Sequence, residues 1–499
     1  MGEIAKQSIK GTIVTYMGVA IGFVTTFFVI TRFLSSEEIG LARVLIDAAT
    51  LFVGLAQLGT NSSIIRFFPY FKDGKEKGYH GFFLWTIIVP FIGFILVSAL
   101  YGLCSASIQT WFGEKSPLFV DYYYFVLPIA FFMLYQTVFE SNANVLMRIV
   151  VPRAVREIGV RIGLLVTYVL YACDVLTMNG YVIGIAVTYG ICAIINIAYV
   201  CSLQSFSLRL DRVFLKENTA LMKSYGFYTL FLIVSTLTSF LAPTLGSFFI
   251  TAKMGLSYTG IFAIATYIAV MVSIPYRSLV AITQPELAQT IKDNDRRSTN
   301  RLISQASNNL LLIGGFIFLL IWVNIDLIFL ILPNGELYAT AKNTVLMLGI
   351  GQLSVAGFQI FSPALSYSKS YVFTLFASLV LTISALVMNN LFIPVLGMDG
   401  AALATLLSDV IYYALLVLVT CVTLHIQPFT KKHCLTIVLL LLIGGLNYLW
   451  LTYLPIASLW LSSILRTVIL LGGGLYIAYQ LHLSEEIDAI LHSIFIPRK

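Results

Sequence analysis

Residues 82–104 read FFLWTIIVPFIGFILVSALYGLC, twenty-three consecutive residues without a charge. Wound as a helix at about 1.5 Å per residue, such a stretch crosses the roughly 30 Å hydrocarbon core of a bilayer. It is too long for a buried strand, and it lacks the alternation of a membrane β-strand. The same texture continues on either side. Comparable runs lie near 10–33, 40–66, 121–144, 156–173, 179–203, 224–251, 257–281, 305–325, 338–364, 371–392, 399–423, 434–453 and 458–481. The composition agrees: 59% of the 499 residues are hydrophobic, 11% are charged, and the mean hydropathy is +0.92. Soluble domains carry about 25% charged residues. The chain therefore reads as an all-α polytopic membrane protein of about fourteen transmembrane helices, with no soluble domain of its own.

The charges test that map. Of the 30 Lys and Arg residues, 23 fall in the termini and in the loops that share their side, four fall in the opposite loops, and Arg43, Arg277 and Arg466 lie within spans. This is the positive-inside pattern, and it predicts that both termini are cytoplasmic in a multi-pass protein. The net charge of +7 is thus accounted for by orientation rather than by nucleic acid. The six cysteines have no metal spacing and read as small apolar fillers. Lys6 and Lys10 precede an apolar run too long for a signal-peptide core, so that run is expected to remain as the first span.

An internal repeat organises the spans. FFVITRFLSSEEIG (27–40) and SFFITAKMGLSYTG (247–260) align at an offset of 220 through Phe28/Phe248, Ile30/Ile250, Thr31/Thr251 and Gly40/Gly260. Gly184/Gly400 and Ala186/Ala402 align at 216. The expected organisation is two pseudo-symmetric six-helix bundles, 1–203 and 224–423, joined by a cytoplasmic linker at 204–223. Residues 424–499 then supply two extra transmembrane helices and a tail. Matched parallel halves are the arrangement of transporters that rock about a central site.

The second span carries Arg43, Asp47, Thr50, Gly54, Gln57 and Asn61 at alternating spacings of four and three. On a continuous helix these share one face. Lipid does not tolerate such a face, so it is expected to line a hydrated cavity, with Arg43 and Asp47 one turn apart and able to pair. Arg277 in the eighth span, at offset 220 from Gln57, Glu140 in the fourth and Asp409 in the twelfth complete the candidate cavity set. Gln352, Gln359, Ser362 and Ser366 form a polar face on the tenth. Arg148, Arg153, Arg156 and Arg161 surround Pro152 and read chiefly as topology anchors, with a geometry that also suits phosphate. Arg466 has no visible partner. Pro90, Pro128, Pro243, Pro275 and Pro363 are candidate kinks. The sequence contains no phosphate-binding loop, HExxH or GxSxG motif, and the five histidines are scattered. No catalytic residue, metal site or cofactor is expected.

SSEEIG (35–40) between the first two spans, YTGIFAIATYIAVMVSIPYRSL (258–279), IPVLGMDGAALAT (393–405) and QPFT (427–430) resemble the polysaccharide-biosynthesis flippases. These are O-antigen-type oligosaccharide flippases of the multidrug/oligosaccharidyl-lipid/polysaccharide (MOP) exporter superfamily. The resemblance runs along essentially the whole chain. It implies two bundles around a central cavity and a non-enzymatic flippase of the bacterial cytoplasmic membrane. Its substrate would be an undecaprenyl-diphosphate-linked oligosaccharide, moved by alternating access for polysaccharide or lipopolysaccharide biosynthesis. Its partners would be that lipid-linked oligosaccharide, membrane lipids and polysaccharide-assembly proteins, with no nucleic acid. Relatives often carry an acidic residue in the seventh span near Gly246, which this chain lacks; Asp47, Glu140 and Asp409 are the acids left for coupling. The alternatives are a cation-coupled multidrug or metabolite exporter of the same superfamily and, less favoured, a membrane glycan polymerase or ligase.

Overall fold

The computed structural model describes residues 3–68, 70–71, 79–203, 219–454 and 458–484, and every regular element among them is a helix. The first half supplies α1 (Glu3–Val24), which continues through a π-turn to Phe33, then α2 (Ser36–Ala56), α3 (Thr60–Phe67), α4 (Phe82–Leu103) and α5 (Ser105–Phe112). It goes on with α6 (Val126–Val145), α7 (Val160–Ala172), α8 (Met178–Leu203) and α9 (Thr219–Lys253). The second half begins with α10 (Leu256–Val270), α11 (Ile274–Lys292), α12 (Arg296–Val323), α13 (Lys342–Phe358) and α14 (Phe361–Tyr367). It ends with α15 (Val372–Leu396), α16 (Met398–Leu424), α17 (Lys431–Tyr453) and α18 (Leu459–Arg466), the last running on through a π-turn towards Gln480.

Eleven helical segments among the described residues are long and apolar enough to cross a membrane, or twelve if α13 and α14, bent by 41°, form one span. The expected count of fourteen is not reached, for two reasons. The expected fifth span is interrupted: α7 has 13 residues, roughly 20 Å, and follows a π-turn at Val155–Gly159 that carries Arg156 and Glu157. The expected seventh span is helical within α9, but most side chains in the first half of α9 lie outside the described residues. Two of the prolines mark breaks. Pro275 restarts a helix after a 3₁₀ turn at Met271–Ser273, and Pro363 lies just beyond the α13/α14 bend.

The helices group into two compact units, 1–260 and 261–499. α9, expected to open the second bundle, falls in the first unit. In that unit α2 is the central helix; Leu41, Val44, Leu45, Ala49 and Ala56 are fully buried. In the second unit one core gathers Ile303, Phe361, Leu365 and Leu416, and another ties α12 to α17 and to the π-turn that follows α18 through Leu319, Leu439, Ile443 and Leu470. Large apolar side chains such as Leu96, Leu103, Val395 and Leu441 are exposed, as the lipid-facing surface of a membrane bundle requires.

The start of α2 is fixed by a capping box. Ser35 Oγ accepts from the Glu38 amide at 3.3 Å, and Glu38 Oε2 accepts from the Ser35 amide at 2.7 Å, which satisfies two amide donors left free at the helix end. Tyr171 donates its hydroxyl to Glu38 Oε1 at 2.5 Å and thereby ties α7 to this corner.

The repeat seen in the sequence has a physical counterpart at the same place. Thr31 Oγ1 donates back to Phe27 O at 2.8 Å, and Thr251 Oγ1 does the same to Ser247 O at 2.7 Å. Gly40 and Gly260 then meet face to face. A Cβ on Gly40 would stand 2.0 Å from Leu256 O, and one on Gly260 would stand 1.9 Å from Ser36 O. Each glycine thus faces the carbonyl four residues before the other, so the crossing is two-fold related. Only hydrogen-sized side chains permit that approach.

Candidate functional site

The polar positions of the second span are pairs rather than an unbroken stripe. Arg43 Nε donates to Asp47 Oδ2 at 2.8 Å; the aspartate side chain is 10% exposed and the arginine 33%. One turn of α2 suffices for this pair, because residues four apart stack on one face. Thr50 donates back to Ile46 O at 2.8 Å, and Gly54 is covered by the Phe240 ring of α9. Beyond Ala56 the helix breaks. Leu58 (φ 48°) and Gly59 (φ 71°) are left-handed, and α3 restarts at Thr60. The expectation of one continuous helical face from 43 to 61 is therefore corrected, since the periodicity is reset at Leu58–Gly59. Across that break Asn61 Nδ2 donates to Gln57 Oε1 at 2.7 Å, which makes the second pair.

Glu140 turns towards the fifth expected span. Arg156 NH1 donates to Glu140 Oε1 at 2.7 Å, its NH2 lies 3.4 Å from Glu157 Oε1, and Arg161 NH2 lies 3.5 Å from Glu157 Oε2. Arg156, expected to serve mainly as an orientation anchor, thus neutralises a buried carboxylate. The π-turn at Val155–Gly159 supplies both Arg156 and Glu157, and the Glu157 backbone packs tightly on Gly18 of α1. Sequence reasoning missed this pair; the one signal available was two arginines, Arg156 and Arg161, beside Glu157 in a span otherwise apolar. Arg156→Ala is expected to destabilise the protein by about 1–3 kcal/mol, because it strands a buried carboxylate. Adding Glu140→Gln should recover most of that loss, and thermal unfolding of the purified protein checks both.

In the second unit Asp409 lies on α16 opposite Gly351 of α13, where an added Cβ would come 3.5 Å from its Oδ2. It makes no hydrogen bond or ion pair among the described residues. The polar face expected on the tenth span is engaged elsewhere: Gln352 Oε1 accepts from Ser273 Oγ at 2.7 Å, and Gln359 Oε1 accepts from the Tyr413 hydroxyl. Arg277 lies on α11, but its side chain is outside the described residues. The expected set therefore resolves into Arg43 with Asp47, Gln57 with Asn61, Glu140 with Arg156, and Asp409 alone.

Several buried atoms of the first unit have no partner among the described residues, among them Asn61 Oδ1, Gln136 Nε2, Asn142 Oδ1 and Asn196 Oδ1. Amides in such numbers inside a membrane bundle call for hydration. Among the described residues no group of His, Cys, Asp and Glu has metal-binding geometry.

No family model and no curated protein sequence matches the chain. Solved structures do. One described as the lipid II flippase MurJ in an inward closed conformation superposes with a TM-score of 0.69 at 15% identity, over 95% of this chain and 99% of that one. The chain shares the fold of that structure. A point mutant of a Vibrio cholerae MATE transporter aligns with a TM-score of 0.57 at 13% identity, over 85% of this chain and 98% of that one. A MOP-superfamily transporter from Pyrococcus furiosus aligns at 0.59 and 12% identity, over 85% and 96%.

Proposed function

We propose that the chain is a flippase that moves a lipid-linked oligosaccharide across the bacterial cytoplasmic membrane by alternating access of bundles 1–203 and 224–423. The substrate class is an undecaprenyl diphosphate carrying a sugar repeat unit, used in polysaccharide or lipopolysaccharide biosynthesis. The observation that carries this reading is the likeness to a lipid II flippase over nearly the full length of both chains. That likeness spans a tenth more of the chain than the MATE likenesses do, a stretch the size of the last two candidate spans. The physics agrees. A diphosphate and its sugars do not cross about 30 Å of hydrocarbon unaided, because each desolvated charge and hydroxyl is costly.

In this reading Arg43, Asp47, Gln57, Asn61, Glu140, Arg277 and Asp409 line the polar path, and a guanidinium meets phosphate through its planar fork. Both termini are cytoplasmic, which places the basic loops on the side where the substrate is made. Arg43→Ala should lower glycan export at least tenfold in a flippase-null strain, with the protein level unchanged. Full export by the Arg43→Ala/Arg277→Ala double variant would remove both residues from the path.

A second reading, a cation-coupled exporter, is favoured by Asp409, which has no partner among the described residues, and by the MATE likenesses. In that case Asp409→Asn would abolish cation-driven efflux of a small organic cation from vesicles. In the flippase reading no such efflux exists.

A further inference from the structure

The first unit encloses a cavity of about 280 Å³ between α2, α4, α5 and α9, walled by Leu51, Leu55, Val97, Leu100, Phe112 and Phe248 among others. Three of its lining residues, Tyr101, Tyr123 and Cys104, carry a hydroxyl or a thiol. Both hydroxyls are spent on a reciprocal clasp: Tyr123 Oη donates to Tyr101 O at 2.7 Å, and Tyr101 Oη donates to Tyr123 O at 3.1 Å. Their rings stack at 4.1 Å. The remaining walls offer water no partner, and a cavity of that kind stays dry and takes apolar molecules.

Leu100 lines this cavity and is nevertheless 55% exposed, so the cavity opens past it. Leu96 and Leu103, about one turn of α4 to either side of Leu100, are 61% and 82% exposed. An apolar, exposed flank on a membrane-spanning helix faces lipid, so the medium at the mouth is hydrocarbon. A cavity of about 150 Å³ takes benzene, which sizes this one for roughly a dozen carbons. That is a segment of one acyl chain and a small part of a long polyprenyl tail.

We propose that this cavity is a binding site for one acyl chain of a membrane phospholipid, which enters sideways past Leu100 and lies against the Phe112 and Phe248 rings. The bound chain supplies contacts that the walls otherwise lack, and occupancy stabilises the folded bundle by mass action. The site is independent of the transported substrate, and it stands whether or not the transport reading does.

The test uses the full chain in nanodiscs containing a phospholipid with a diazirine on its acyl chain. Labelled positions are mapped after illumination. Label is expected on 97–112, diluted in proportion by excess unlabelled phospholipid, and reduced at least fivefold in Leu55→Phe and Val97→Phe. Label on the exposed face of α17 should be unchanged in those variants. Labelling of 97–112 no stronger than that of α17, or insensitive to both filling variants, would overturn the proposal. So would exclusive labelling by a polyprenyl probe. The comparison of 97–112 with α17 in the unaltered protein decides the matter even if the variants fold poorly.

Discussion

Gly40→Ala and Gly260→Ala are each expected to cost the protein most of its folded yield, while Gly102→Ala is harmless. The added methyl at Gly40 would lie 2.0 Å from Leu256 O and that at Gly260 1.9 Å from Ser36 O, in both cases against backbone. No rotamer change relieves such a clash, so the helix starts must separate. Overpacking costs about 1–3 kcal/mol in soluble cores and more where backbone has to move. Separation would also disturb the capping box at Ser35, within the same turn of α2, and the Thr251–Thr259 hydroxyl contact of 2.8 Å. Gly102, by contrast, has no atom within 4 Å of its Cβ position, and alanine there should be neutral or stabilising by up to about 1 kcal/mol. Thermal unfolding in detergent, followed by size-exclusion profile, compares the three. Equal midpoints for Gly40→Ala and Gly102→Ala would contradict the crossing.

Asn447→Leu is expected to be more damaging than Arg466→Met, although the arginine carries the charge. Arg466 is 1% exposed and is held by neutral acceptors: Asn447 Oδ1 at 3.2 Å, Ser462 O at 3.3 Å and Ser463 Oγ at 3.4 Å. The Asp326 carboxylate is bound by Lys342. Asn447 is the one acceptor of the three that comes from another helix, so it joins α17 to α18. Leucine at 447 leaves a guanidinium buried and short of a partner, at about 2–3 kcal/mol. Methionine at 466 removes the charge together with its need for partners, keeps much of the packing, and leaves one amide oxygen unmatched, at about 1 kcal/mol. The double variant should lie close to Arg466→Met alone. A double-mutant cycle on thermal stability measures this, and a larger loss from Arg466→Met than from Asn447→Leu would reverse the assignment.

What the sequence discloses and what it hides follow from the range of each interaction. The spans are legible because lipid imposes composition over about 20 residues at a time. The Gly40/Gly260 match is legible because it is a local pattern repeated at a fixed offset. The candidate cavity residues are legible in kind but not in arrangement. Arg43–Asp47 follows from one helical turn. The reading of Gln57 and Asn61 as the same face failed at Leu58–Gly59, where two left-handed residues reset the helix and a glycine was the only warning. Glu140–Arg156 and Asn447–Arg466 join different helices, and nothing in the spacing of 16 or 19 residues announces them. The fifth expected span was overextended because a π-turn and three charges shorten the helix that its apolar residues suggest. The apolar cavity beside α4 has no sequence signature at all, since its walls have the composition of any membrane helix.

The most direct test of the transport reading is translocation itself. The purified chain would be placed in vesicles with a fluorescent undecaprenyl-diphosphate oligosaccharide, and the fraction of head groups reached by an impermeant glycosidase would be followed over time. The flippase reading expects the accessible fraction to rise from about half towards completion in vesicles holding the intact chain. Empty vesicles, and those with Arg43→Ala, should remain near half. Equal accessibility with and without the protein would contradict it.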